Sequence, residues 1–427
     1  MADESATPTV QIPPELAEQA KKAGWPEDLL IELLQRNAQP ADLTRYMSMG
    51  VSADQVRQFL SAGGEDAGPS AAPELTLAWM NVPTEWGVRA KPTKQGLTLE
   101  AINIGQYGEV PDVWENQTEM PRGAVAMPGV EAMGYTIYQK QELWADNAAM
   151  LYEEAIQRRW RPATDIPWDT LEPLPDDMER AICQICTHLS EKAQLEADVL
   201  AGWEPQLSYG YHEIKLYLAT TIFEGARHAE VFRKRALSNG GGLGLQSPGW
   251  GFRSVTDARN FTEMIAVQMV LQDSFTIVQY QYGEAYARNP AEQLIFRLAI
   301  QDKARHIAYG IAHLKYVMLH KSERREEVQR YLDKGEAMLV ADDRDTATRE
   351  AFAILLGGGK ENIQNGLRMY DGMRQRQVQQ YLDRLSWATI ERRDRLFPAL
   401  RAHVQGADEA GGEAGPGVTA RLLTGTD

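Results

Sequence analysis

Phe223-Glu-Gly-Ala-Arg-His-Ala229 and Gln301-Asp-Lys-Ala-Arg-His-Ile307 decide how this chain is read. Each heptapeptide lies in a long segment of helical periodicity, and each runs acid, one variable residue, Ala, Arg, His. A repeat of about 3.6 residues puts Ile214, Leu218, Thr221, Gly225, His228 and Phe232 on one face of the first segment. The same repeat aligns Ala299, Lys303, His306, Gly310 and Val317 on one face of the second. Both histidines and Lys303 therefore face inward, and a buried charge must be paired or bound to something.

Two further segments complete the pattern. Ile182, Leu189, Ala193, Glu196 and Leu200 form an apolar stripe that carries one carboxylate into the core. Phe261, Ile265, Gln268, Gln272, Phe275 and Gln279 form another, which carries amides. Helices are expected over about 176–201, 208–237, 257–288 and 290–320. They break at Gly202 and Pro205, at the glycine-rich run 239–244, and at Asn289-Pro290, where a cap, a first-turn proline and Glu292 follow one another. Helices of this length, with one long glycine-rich crossover after the second, predict an all-α fold built on a four-helix bundle. More helices are expected from Ser322 to about Ala402.

The rest of the chain is organised around that bundle. Residues 1–62 read as a small helical module with a weak internal repeat, Gly24-Trp-Pro-Glu-Asp-Leu-Leu against Gly50-Val-Ser-Ala-Asp-Gln-Val. In each copy Gly ends one element, Pro26 or Ser52 opens the next, and Asp28 or Asp54 favours the positive end of the helix dipole. Residues 63–73 read as a flexible linker, so the module is expected to dock a protein partner through residues 11–62. Residues 74–140 are expected to form an irregular arm, 141–404 the helical domain, and 405–427 a disordered tail.

Composition narrows the classes. With 427 residues and a formal net charge of −16, the chain can bury a large core and has no basic cluster to hold nucleic acid or an anionic membrane. No apolar run approaches the length that spans a bilayer, and the expected location is the cytoplasm. Cys183 and Cys186 are the only cysteines, which excludes a disulfide framework. They read as two small buried residues of one helix face, with a thiol pair near His188 as the alternative.

The paired acid-x-Ala-Arg-His motifs resemble those of the ferritin-like di-metal carboxylate proteins, which include multicomponent monooxygenase hydroxylases and ribonucleotide reductase small subunits. The resemblance covers about residues 141–320. It implies a ferritin-like bundle, a homodimer, and an oxygen-activating oxidoreductase acting on a small-molecule substrate. Carried over position by position, it makes Glu196, His228 and His306 metal ligands. The other three carboxylate positions are Gly225, Gln272 and Lys303, so the metal site is degenerate. Glu224 and Asp302 lie four residues before their histidines and are the acids that a modest rotation would recruit as ligands. Arg227 and Arg305 read as partners of acids such as Glu230 or Glu213.

One iron or manganese ion is then expected rather than two, or none, with Lys303 and Gln272 as candidate catalytic groups. The radical tyrosine expected four residues after the first motif histidine is replaced by Phe232. Three readings follow: an oxidoreductase with a mononuclear, atypical or metal-free centre, a non-catalytic subunit of a larger oxygenase complex, or a plain helical scaffold. The first also predicts that Lys303→Glu with Gly225→Glu would restore di-metal binding.

Overall fold

The computed structural model describes residues 12–36, 38, 40–48, 50–62, 77–81, 85–114, 122 and 134–409, and divides into two units at Trp86 and Gly87. The expected linker at 63–73, and residues 410–427 of the expected tail, lie outside the described residues.

The first unit is a set of short helices, α1 (Pro14–Ala23), α2 (Glu27–Gln35), α3 (Pro40–Ser48) and α4 (Ala53–Ala62). Gly24 ends α1 in the left-handed conformation, at φ 72°. Ser52 and Gln55 form a reciprocal capping box at the start of α4. Leu16, Trp25, Leu29, Leu30, Leu33, Leu43 and Met47 fill the interior, and the Trp25 indole donates to the Val51 carbonyl at 2.8 Å.

The second unit is helical throughout its core. After α5 (Ala148–Gln157) come two long helices, α6 (Asp176–Trp203) and α7 (His212–Ser238). α6 opens with Asp176, Asp177 and Glu179 in its first turn, where acids favour the helix dipole. The short 204–211 connection folds α7 back along α6. A long crossover, containing α8 (Trp250–Thr256), leads to the composite helix α9 over residues 261–286, and three residues later α10 (Pro290–His320) returns against it. Two hairpins joined by one long crossover make the ferritin-like four-helix bundle. α11 (Arg325–Ala341), α12 (Thr346–Gly357), α13 (Ile363–Trp387) and α14 (Pro398–Glu409) pack around it, and α14 continues past residue 404 into the segment expected to be tail.

Close approach between helices is set by glycine on the two motif faces. A Cβ at Gly225 would lie 2.9 Å from the Ala197 Cβ, so α6 and α7 touch there backbone to backbone. A Cβ at Gly310 would lie 2.9 Å from Val270, on the segment of α9 that departs from α-helical geometry. That segment is the main difference from expectation. α9 is not one regular helix but Phe261–Ile265, a π-helical stretch Ala266–Gln272, and Asp273–Tyr286. The widened turn inserts a residue into the repeat and rotates everything after it.

The described parts of the arm are short helical segments, among them Leu99–Ile102 and Gly105–Tyr107, with turns and isolated bridges between them. Buried Arg122 donates to Glu213 on α7 at 2.5 Å and to the Gly210 carbonyl, and Asn103 donates to the same carboxylate at 2.7 Å. Glu213 is thus held by the arm and not by Arg227 or Arg305.

Candidate functional site

The polar residues of the four bundle helices meet in one buried centre. Lys303, 2% exposed, donates to Glu196 Oε2 at 2.5 Å and to Asp273 Oδ1 at 2.6 Å. Asp273 is a residue that sequence periodicity missed. A regular repeat put Gln272 at this position, and the π-helical turn brings the next residue in beside it. Gln272 stays in the centre, accepting from Lys192 Nζ at 3.0 Å and donating to the Gly251 carbonyl at 3.3 Å. Lys192 is a second missed group. It lies one turn before Glu196 on α6, and its ammonium is 4.0 Å from that carboxylate.

A second layer surrounds the histidines, and the acids cross over between helices. Asp302 on α10 accepts from His228 Nε2 on α7 at 3.0 Å, and Glu224 on α7 pairs with His306 Nε2 on α10 at 2.8 Å. Each acid therefore serves the histidine of the other motif, not the one four residues along its own helix. Asp302 also accepts from the Trp160 indole at 2.9 Å, from Arg227 at 2.6 Å and from Arg305, and Arg305 bridges to Glu224. The arginines are thus partners of the motif acids, and the expected pairing with Glu230 or Glu213 does not occur. The Arg227 guanidinium stacks 4.6 Å over Trp160.

A carboxylate only accepts, so the bond to Asp302 puts a proton on His228 Nε2. His228 Nδ1 is buried without a hydrogen-bond partner, as are Glu196 Oε1 and Asp273 Oδ2. His306 Nδ1 is 3.8 Å from Asp273 Oδ2.

The electrostatics follow from burial set against pairing. Burial raises the Asp273 carboxyl to about 6, against the pull of Lys303. Burial also acts to raise Glu196, but Lys303 and Lys192 outweigh it and the net shift is downward. Lys303 is raised, because Asp273 and Glu196 overcome the burial that would lower it. Glu224 is raised to about 7 by burial and the nearby Asp302 charge, opposed by Arg305. Asp302 is held low because the His228 bond, Arg227 and Arg305 outweigh its burial. His306 is lowered well below the ordinary histidine value by burial, with Lys303 and His228 adding to the effect.

These groups do not fit a di-metal centre. Glu196, Asp273 and Lys303 already form a closed ion triad, and Glu224 and Asp302 are committed to the histidine Nε2 atoms and the arginines. Among the described residues, no group of three or more His, Cys, Asp or Glu is arranged to hold a metal ion. Glu196, Glu224, Asp302, Lys192, Lys303, Asp273, Arg227 and Arg305 give four acids facing four bases, so an added di-cation has no uncompensated charge to meet. A side chain at position 225 would put its Cβ 2.9 Å from that of Ala197, so the Gly225→Glu half of the double variant expected to restore metal binding requires α6 and α7 to move apart.

Cys183 and Cys186 are both buried free thiols, with burial raising Cys183 to about 11, which makes them inert core residues. Among the described residues, no helix is long and apolar enough to cross a membrane.

No family model and no curated protein matches this chain. Solved structures do. A mutant R2-like ligand-binding oxidase with an aerobically reconstituted Mn/Fe cofactor matches at TM-score 0.40 and 18% identity, over 56% of this chain and 92% of the other. A second mutant, with an Fe/Fe cofactor, matches at TM-score 0.42 and 17% identity, over 62% of this chain and 99% of the other. The same oxidase after photoconversion gives the same TM-score, identity and coverage.

Proposed function

We propose that this chain is a metal-free derivative of the oxygen-activating ferritin-like oxidoreductases, whose centre is organised by Lys303 in place of a di-metal cluster. The observation that carries the reading is the Lys303 ammonium at 2.5 and 2.6 Å from the carboxylates of Glu196 and Asp273. An ammonium so placed supplies the positive charge that these acids need, and competes with any cation for the same oxygen atoms. The cross-bonded histidines and arginines then serve to hold the acids in place. The test is metal content by mass spectrometry on protein purified from iron- and manganese-supplemented cells. Less than about a tenth of an ion per chain is expected. A stoichiometric ion that is lost in the His228→Ala and His306→Ala variants overturns the proposal.

The homodimer that the resemblance implies, a reading independent of the metal, has its own observation. On the solvent face of α7, Leu216, Ala219, Phe223, Ala226 and Leu237 are exposed at alternating spacings of a heptad, interrupted by Glu230 and Arg233. That seam fits a second copy of this chain. Light scattering is expected to give a dimer for the wild type and a monomer for Phe223→Lys, and a wild-type monomer removes this reading.

A further inference from the structure

At one end of the bundle, the arm and the ends of α6, α9 and α11 enclose a cavity of about 320 Å³, within the range of small-molecule clefts. Its walls are fixed by backbone and cap contacts. The Ile137 N–H of the arm donates to the Gln206 carbonyl at 3.1 Å, and the Ile137 carbonyl accepts from the Ser208 N–H at 2.9 Å. Asn260 caps α9 by accepting from the Glu263 N–H at 2.9 Å, and donates to the Tyr331 hydroxyl of α11 at 2.7 Å. Trp203, the last residue of α6, meets the Phe261 ring edge to face at 6.3 Å and supplies an aromatic wall.

Most polar side chains lining this space already have partners. Thr136 donates to Gln206 at 3.0 Å, and Gln206 donates to the Gly202 carbonyl at 2.9 Å. Thr262 pairs with His313 at 3.1 Å, and Arg324 donates to Glu327 at 2.7 Å. Two charged groups are left over. Glu142, half-buried, and Arg259, exposed at the rim, have no ion-pair partner among the described residues. Burial raises the Glu142 carboxyl, against the Gln139 backbone N–H and the Arg324 charge. The cavity therefore presents an uncommitted carboxylate, an uncommitted guanidinium and an indole.

We propose that this cavity binds a free α-amino acid with an aromatic side chain, taken as the zwitterion. A guanidinium matches a carboxylate through two parallel N–H donors, so Arg259 holds the carboxylate of the ligand. Glu142 takes the ammonium, which compensates a charge partly removed from water. The aromatic ring lies against Trp203, where ring pairing adds to the apolar area buried. A ligand with a single charge fits less well. An anion brings a second carboxylate toward Glu142, and a cation brings a further positive charge toward Arg259 and Arg324. None of these residues belongs to the Lys303 centre, so the site stands or falls apart from the reading of that centre.

Calorimetric titration of the full chain with L-phenylalanine tests the proposal. Phenylpropionate, which lacks the ammonium, and phenethylamine, which lacks the carboxylate, are titrated beside it. Phenylalanine is expected to bind, and each analogue to bind at least about tenfold more weakly, the factor that one hydrogen-bonded charge contributes. Arg259→Gln should weaken phenylalanine by a similar factor and leave phenethylamine unchanged or tighter. Glu142→Gln should weaken phenylalanine and leave phenylpropionate unchanged or tighter. Absence of phenylalanine binding up to about 10 mM, or an analogue that binds as tightly as phenylalanine, overturns the proposal on the wild-type chain alone. An unchanged phenylalanine affinity in either variant overturns it as well.

Discussion

Replacing Lys303 by Met keeps the length of the side chain and removes the charge. The wild-type ammonium is 2.5 Å from Glu196 and 2.6 Å from Asp273, in a centre where all three side chains are at most 6% exposed. Removing one partner of a buried ion pair costs about 3–5 kcal/mol, because the charge left behind keeps its desolvation penalty. Two acids are stranded here, but the cost should not double. Asp273, already raised to about 6, takes a proton instead of remaining charged, and Lys192 at 4.0 Å retains part of the neutralisation of Glu196. The expected loss is therefore about 3–5 kcal/mol at pH 8 and distinctly less at pH 5.5, where the proton on Asp273 is nearly free. Urea unfolding, followed by tryptophan fluorescence at both pH values, measures the two losses. Adding Asp273→Asn to Lys303→Met removes the second charge with the first, and should recover a large part of the stability at pH 8. A single variant within about 1 kcal/mol of wild type at pH 8 would refute the account, since it would mean that the acids do not depend on the ammonium.

The other expectations follow from the same contacts. Gly225→Ala should destabilise by about 1–3 kcal/mol in thermal unfolding, despite the better helix propensity of Ala, because its Cβ meets the Ala197 Cβ at 2.9 Å. Glu224 is raised from 4.5 to about 7, so it favours folding in its protonated form: its contribution is complete below 4.5 and is lost as pH rises through 7. Glu224→Gln should flatten the fall in stability across that window, and an unchanged slope would show that another group causes it. Asp302→Ala strands Arg227, Arg305, His228 and the Trp160 indole at once. It should cost about 3–5 kcal/mol or abolish folding, with a soluble-expression assay as the first readout.

Sequence periodicity by itself determined the bundle. The 3.6-residue repeat fixes which face of a helix is buried, so it alone assigns His228, His306, Lys303 and Glu196 to the interior, and the glycine-rich crossover set the order of the hairpins. The repeat could not show which atoms meet. Asp273 joins the centre for a reason that no regular periodicity contains: a π-helical turn adds one residue to the count on α9. Lys192 lies one regular turn before Glu196, on a face the repeat already buries, but the apolar stripe read from the sequence passed it over as a charged residue. The crossed pairing of Asp302 with His228, and of Glu224 with His306, likewise depends on how α7 and α10 are placed side by side. A hydrogen bond between helices needs their separation and rotation, and those are settled by packing, here by Gly225 against Ala197 and Gly310 against Val270. Charge followed the same division: the sequence supplied the acids and bases, while tertiary structure gave Lys303 both carboxylates and left Lys192 with an amide.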